Sequence, residues 1–274
     1  IDPRAEKNRH YTDRETLNIL DPLLTEHDID PDRPILAAIS RYDIHKNQHT
    51  ILQAFKELRS VKKYDPRPYL IFLGNTADDD PEGLGVLTEL KEQAGDDPDI
   101  KFLVDVKNND HVVGALMHRA RGFVHVSTRE GFGLVVSEAL WQGTPVIGSR
   151  VGGITKQVID NQTGYLVNPT DVTAIAEKMA RILDVPDEAV QLGSQGREHV
   201  RKHFLLPELV RRYLHLLQFY SGTNNELPEF RLNDLTYSET MNVVRSKHLL
   251  SNTVYAKKQS SPQVCSQSCA RDPH

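Results

Sequence analysis

The chain has 274 residues, 38% of them hydrophobic and 26% charged, an ordinary globular composition with enough length for one core or for a core and a tail. Its net charge of −5 gives no electrostatic case for nucleic acid or an anionic membrane, so any anion site has to be local. No apolar run is long enough to span a bilayer and no signal peptide is visible, which points to the cytoplasm, while the opening on Ile1 rather than Met points to a processed or partial sequence.

In chain order, residues 1–33 are charged, with one helix predicted near 15–24 and the turn-rich Asp28-Ile29-Asp30-Pro31-Asp32-Arg33-Pro34 behind it; they read as a lead-in or linker. From residue 34 to 220 the pattern is that of one domain. Short apolar runs at 35–39, 69–73, 100–104, 122–126, 145–148 and 164–167 alternate with helical segments near 48–60, 84–93, 112–119, 134–142 and 155–159. Helical content continues over 171–183, 187–204 and 207–220. Such alternation predicts an α/β, Rossmann-like parallel sheet with helices on both faces. In these sheets ligands sit at the carboxyl ends of the strands, so the loops that follow the strands are where chemistry is to be sought.

The loop after the first predicted strand, Ser40-Arg41-Tyr42-Asp43-Ile44-His45-Lys46-Asn47, contains no glycine. A dinucleotide fingerprint needs Gly-x-Gly-x-x-Gly there, which argues against a nicotinamide-dependent dehydrogenase. Instead the loop offers two cations, Arg41 and Lys46, whose guanidinium fork and ammonium suit phosphate oxygens. His45 and His49 stand four apart without a third ligand, and Cys265 and Cys269 lie alone near the end of the chain, so neither pair makes a metal motif or a disulfide scaffold.

The fourth strand leads into Arg129-Glu130-Gly131-Phe132-Gly133-Leu134-Val135-Val136-Ser137-Glu138-Ala139-Leu140. Gly131 and Gly133 let the backbone turn tightly and come close to a ligand, and a helix starting at Leu134 aims its unpaired N–H groups and positive dipole end at the mouth of the sheet. Glu130 and Glu138 flank this turn. Eight fully helical steps span about 12 Å, and a partly looped path spans less, comparable with the distance from sugar to ribose across a diphosphate. Carboxylates accept hydrogen bonds from neighbouring hydroxyls, so both residues are candidate hydroxyl clamps.

Taken together, Arg41 and Lys46, Glu130 and Glu138, and the run Glu130-Gly131-Phe132-Gly133-Leu134 resemble the carboxyl-terminal half of retaining glycosyltransferases of family four, which have the GT-B fold. Asp79-Asp80-Pro81-Glu82-Gly83, Ser40-Arg41-Tyr42-Asp43 and the run from Glu138 to Gly148 are similar to the trehalose synthase and trehalose phosphorylase branch. The resemblance covers roughly residues 1–220. It implies that Arg41 and Lys46 hold the diphosphate of a nucleotide-sugar donor and stabilise the charge that grows there. It further implies that Glu130 binds hydroxyls of the transferred sugar, that Gly131, Phe132 and Gly133 present backbone N–H groups, that Leu134 lies against the nucleoside and that Glu138 holds the ribose. No metal and no other cofactor is implied. The expected activity is that of the donor half of a hexosyltransferase moving glucose to a sugar acceptor, with a phosphorylase, an epimerase or a non-catalytic nucleotide-sugar-binding remnant as alternatives.

Two departures from the resemblance stand out. The chain carries only the donor-binding half, so an amino-terminal GT-B domain or a second copy is expected to cover the face left open, including Leu209, Tyr213 and Leu217. Asn47 stands where many relatives have glycine. Gly152-Gly153 reads as a turn, its place at a strand end leaving a donor contact open, and residues 221–274 are polar and aperiodic, the composition of a disordered tail with a short helix or a partner-binding segment near 237–255.

Overall fold

The computed structural model describes residues 1–75 and 81–221. Six strands, β1 (Ile35–Ile39), β2 (Tyr69–Gly74), β3 (Ile100–Val104), β4 (Gly122–His125), β5 (Val146–Ser149) and β6 (Gly164–Val167), form one sheet. The order is β3-β2-β1-β4-β5-β6 and all pairs are parallel. The register sets Ile35 beside Tyr69 on one side, and Leu36 beside Gly122 on the other. The order reverses between β1 and β4, and a crevice at the carboxyl ends of those two strands is where such sheets take ligands.

Alternation along the buried strands assigns the helices to faces. Ile35, Ala37 and Ile39 of β1, with Ile71 and Leu73 of β2, pack on α1 (Asp13–Glu26), α4 (Asn109–Arg119) and α5 (Leu134–Trp141). Leu36, Ala38, Leu70 and Phe72 pack on α2 (Gln48–Val61), α3 (Pro81–Ala94) and α7 (Val172–Asp184). A short α6 (Ile154–Gln157) follows β5, and α8 (Pro186–His203) closes the series behind α7. The two cores are why the strands read as continuous apolar runs, since neither face of the sheet meets water.

The compact body runs from Ile1 to Leu206, which corrects the expectation that residues 1–33 are a lead-in. Leu20, Leu23 and Leu24 form a buried stripe at helical spacing on α1, and the charged residues that suggested a linker occupy its outer face. Thr12 and Glu15 close a capping box that starts the helix. Ahead of it, residues 1–11 are strapped to the body: Trp141 donates from Nε1 to the Asn8 carbonyl (2.7 Å), and Gln142 donates from Nε2 to the carbonyls of Lys7 and Arg9 (3.0 Å each). Helix α9 (Leu206–Ser221) belongs to a second unit beginning at Pro207, with Glu208 paired to Arg211 and Arg212. Leu209, Tyr213 and Leu217 on it are exposed. Asp79, Asp80, the segment 237–255, both cysteines and the expected disordered tail lie outside the described residues.

Candidate functional site

The loops after β1 and β4 are tied to each other. Asp43 accepts from the His45 backbone N–H (2.7 Å) and starts a single 3-10 turn, Ile44–Lys46, that carries Lys46 toward β4. Asn47 ends this turn in the left-handed region at φ 59°, a conformation glycine adopts freely and asparagine tolerates. Its amide also does what a glycine could not: Nδ2 donates to the carbonyls of Val126 (3.1 Å) and Pro169 (2.7 Å). The Thr128 N–H donates to the His45 carbonyl (2.8 Å) and completes the seam.

Across that seam Lys46 Nζ meets Glu130 Oε2 at 2.6 Å, joining residues 84 apart in sequence. His125, the last residue of β4, places Nε2 at 3.0 Å from the same oxygen, and Ser127 Oγ lies 3.1 Å from that nitrogen and 3.4 Å from Oε2. The hydrogen bond from His125, with the one from Lys46, outweighs burial and draws the Glu130 carboxyl down to about 2. Burial lowers His125 from its usual range, so the ring is neutral beside an ionised carboxylate. Contact with that carboxylate then assigns the ring proton to Nε2.

The turn after Glu130 is open to solvent. Gly131, Phe132 and Leu134 are exposed, and nothing approaches a Cβ built on Gly131. Gly133 takes φ 80° and begins α5, whose N-terminus no side chain caps. The Phe132 ring leans on Phe204 (5.8 Å between centroids) and its carbonyl accepts from Gln157, which in turn accepts from Ser137. The turn rests on Gly152-Gly153: a Cβ on Gly152 would fall 1.7 Å from the Glu130 carbonyl oxygen, and Gly153 donates its N–H to the Gly131 carbonyl (3.0 Å). The glycine pair therefore makes a turn, as its sequence indicates, and that turn is a floor for the loop.

Arg41 and Glu138 stand apart from the Lys46–Glu130 contact. Arg41 is 70% exposed and pairs with Asp43 (3.0 Å) on its own loop. Glu138 is buried on α5, and its Oε1 meets Lys7 Nζ at 2.9 Å, a partner contributed by the strapped amino-terminal segment. Lys7, His125, Ser127 and Gln157 join these contacts only through the fold. For His125 a signal existed: it is the one titratable residue in Gly122-Phe123-Val124-His125-Val126 and faces the side opposite Val124. Lys7 had none, because only the docking of residues 1–11 brings it to α5. Among the described residues no group of three or more His, Cys, Asp or Glu could hold a metal, and no helix is long and apolar enough to cross a membrane.

The family profile described as glycosyl transferases group 1 matches residues 23–199. The chain belongs to this family. It is 36% identical over 223 residues to the trehalose synthase of Pyrococcus horikoshii, covering 81% of this chain and 52% of that protein. It is 28% identical to the trehalose phosphorylase of Pleurotus pulmonarius, over 77% of this chain and 30% of that one. Among solved structures, the Anabaena protein HepE, in complex with UDP-glucose, superposes with a TM-score of 0.64 at 18% identity over 77% of this chain and 54% of its own. The group 1 glycosyl transferase chain thus spans about half the length, or less, of these relatives, and its sheet is one half of a GT-B fold.

Proposed function

We propose that this chain is the donor-binding half of a retaining hexosyltransferase that moves glucose from a nucleoside-diphosphate glucose to a sugar acceptor; its similarity to proteins named trehalose synthase supports the reading. The observation that carries the reading is the Lys46–Glu130 contact at the carboxyl ends of β1 and β4, beside an open glycine turn and an uncapped helix start. A diphosphate there meets the Lys46 ammonium, the Arg41 guanidinium once it leaves Asp43, and the amides at the start of α5. Each hydrogen bond to a charged group contributes about 1.5 to 3 kcal/mol, and the helix terminus about 0.3 to 1 kcal/mol. Glu130 accepts hexose hydroxyls, Gly131, Phe132 and Gly133 line the approach with backbone, and exposed Leu134 offers an apolar surface to the nucleoside. Glu138 takes ribose hydroxyls on the oxygen Lys7 leaves open, so Lys7 joins the site. Cations and amides supply the charge stabilisation in this reading, and no metal enters it.

The phosphorylase relative supports a second reading in which the same cations hold inorganic phosphate. Calorimetric titration with UDP-glucose, ADP-glucose and inorganic phosphate discriminates: a nucleotide sugar binds under the first reading, and loses its affinity in Lys46→Ala and Arg41→Ala. Unchanged affinity in both variants rejects the site. Phosphate binding without nucleotide binding favours the phosphorylase.

A further inference from the structure

Three donors meet Glu130 on one oxygen: Lys46 Nζ, His125 Nε2 and Ser127 Oγ all reach Oε2, at 2.6, 3.0 and 3.4 Å. A carboxylate offers about four lone-pair positions on its two oxygens, so Oε1 remains for a ligand hydroxyl. The three donors differ in their freedom. Lys46 sits on a loop turn and carries the charge a phosphate needs; the Ser127 contact is the longest. His125 is 3% exposed, is held by the sheet, and lies nearly parallel to the Phe123 ring (14°, 6.3 Å). The charged groups facing it are Lys46 from the β1 loop and Glu130 from its own. A neutral N–H donor orients a carboxylate without cancelling its charge, which a second cation would do.

We propose, building on the donor-site reading above, that His125 is a positioning residue that holds Glu130 by Oε2, so that Oε1 stays available to a hexose hydroxyl while Lys46 engages a phosphate. Glu130 then keeps its orientation when its shortest contact, Lys46, is shared with the ligand. Without His125, the loaded Lys46 and the distant Ser127 hydroxyl alone would restrain it.

The test compares UDP-glucose with UDP in calorimetric titrations of the wild type, His125→Leu and His125→Gln. His125→Leu is expected to weaken UDP-glucose about tenfold more than UDP, the scale of one hydrogen bond to a charged group, and His125→Gln, which retains an N–H donor, to recover most of the difference. Equal losses for both ligands, or a glutamine variant no better than the leucine one, would overturn the proposal by reducing His125 to packing. A wild type that binds neither nucleotide would reject the donor reading, and nitrogen and carboxyl-carbon NMR then judges the contact itself. Support is a His125 ring protonated at Nε2 alone and a Glu130 carboxyl that titrates higher in His125→Leu; a ring protonated at Nδ1, or an unmoved carboxyl, refutes it.

Discussion

Glu130 gathers its partners from three directions, and the consequence is a pH dependence of a definite sign. Its carboxyl is held at about 2 against an ordinary 4.5, chiefly by His125 and then by Lys46. A carboxyl depressed in the folded state stabilises the fold fully above its unfolded pKa and loses that contribution as pH falls through the folded one. The window is therefore from about 4.5 down to about 2. Glu15, Glu198 and Glu208 are drawn down to similar values by exposed partners, so the wild-type curve alone cannot isolate Glu130. Glu130→Gln can: its urea midpoint is expected to fall less steeply than that of the wild type as pH drops through this window. Parallel curves would mean that the carboxylate is not paired in solution. Gly152 offers a second residue-scale test, because a methyl there meets the Glu130 carbonyl at a φ of 47° that side chains rarely adopt. Gly152→Ala is expected to displace the loop and to weaken nucleotide-sugar binding together with stability, read by titration and by thermal melting.

Helix α1 is where local rules and chain-level inference part. Thr12 accepts from the Glu15 N–H (3.3 Å) while Glu15 Oε2 accepts from the Thr12 N–H (3.0 Å). Thr12→Ala removes the side-chain half of that reciprocal pair, leaving the residue-12 N–H to Glu15, and is expected to cost about 1 kcal/mol in urea denaturation. No measurable loss would mean that α1 is held by packing alone. The helix itself was legible from its period, but its membership of the core was not: Leu20, Leu23 and Leu24 are buried by a sheet face assembled from strands far along the chain. The six strands were legible because a sheet buried on both faces writes itself as uninterrupted apolar runs. Glu130 and Lys46 were legible as types at strand ends, whereas their 2.6 Å contact depends on the β1–β4 adjacency, which no local pattern encodes. His125 is masked because a strand residue beside Val124 and Val126 reads as core, and Lys7 because its helix-side partner is set by tertiary docking. Asn47, where the family resemblance leads one to expect glycine, takes a left-handed backbone that glycine adopts freely and adds two side-chain hydrogen bonds.

At the scale of the molecule, the parallel sheet separates ligand chemistry from anchorage. One end, at the carboxyl ends of β1 and β4, carries the candidate site. The half-length match to relatives predicts a corresponding division of labour: this 274-residue chain, alone with UDP-glucose and glucose, is expected to bind the donor without forming disaccharide, because transfer needs both substrates held in one geometry. Disaccharide in the product analysis would show that the chain or a dimer of it builds its own acceptor site. The opposite end, at the amino ends of the strands, is held by Asp99, which is fully buried just before β3. It pairs with Arg33 ahead of β1, with Arg59 of α2 (2.8 Å) and with Arg67 ahead of β2 (3.1 Å). Removing one member of a buried pair costs about 3 to 5 kcal/mol because the remaining charges stay unpaired. Arg59 keeps Asp97 as a second partner and Arg67 is more than half exposed, which argues for the lower figure. Asp99→Ala is therefore expected to lose about 3 kcal/mol in urea denaturation. Since Asp99 lies at the far edge of the sheet from Lys46 and Glu130, donor affinity measured below the lowered melting temperature should match the wild type. A variant that stays folded yet loses donor binding would mean that the two ends are coupled through β1 and β2, and that the sheet transmits strain from its anchoring edge to its site.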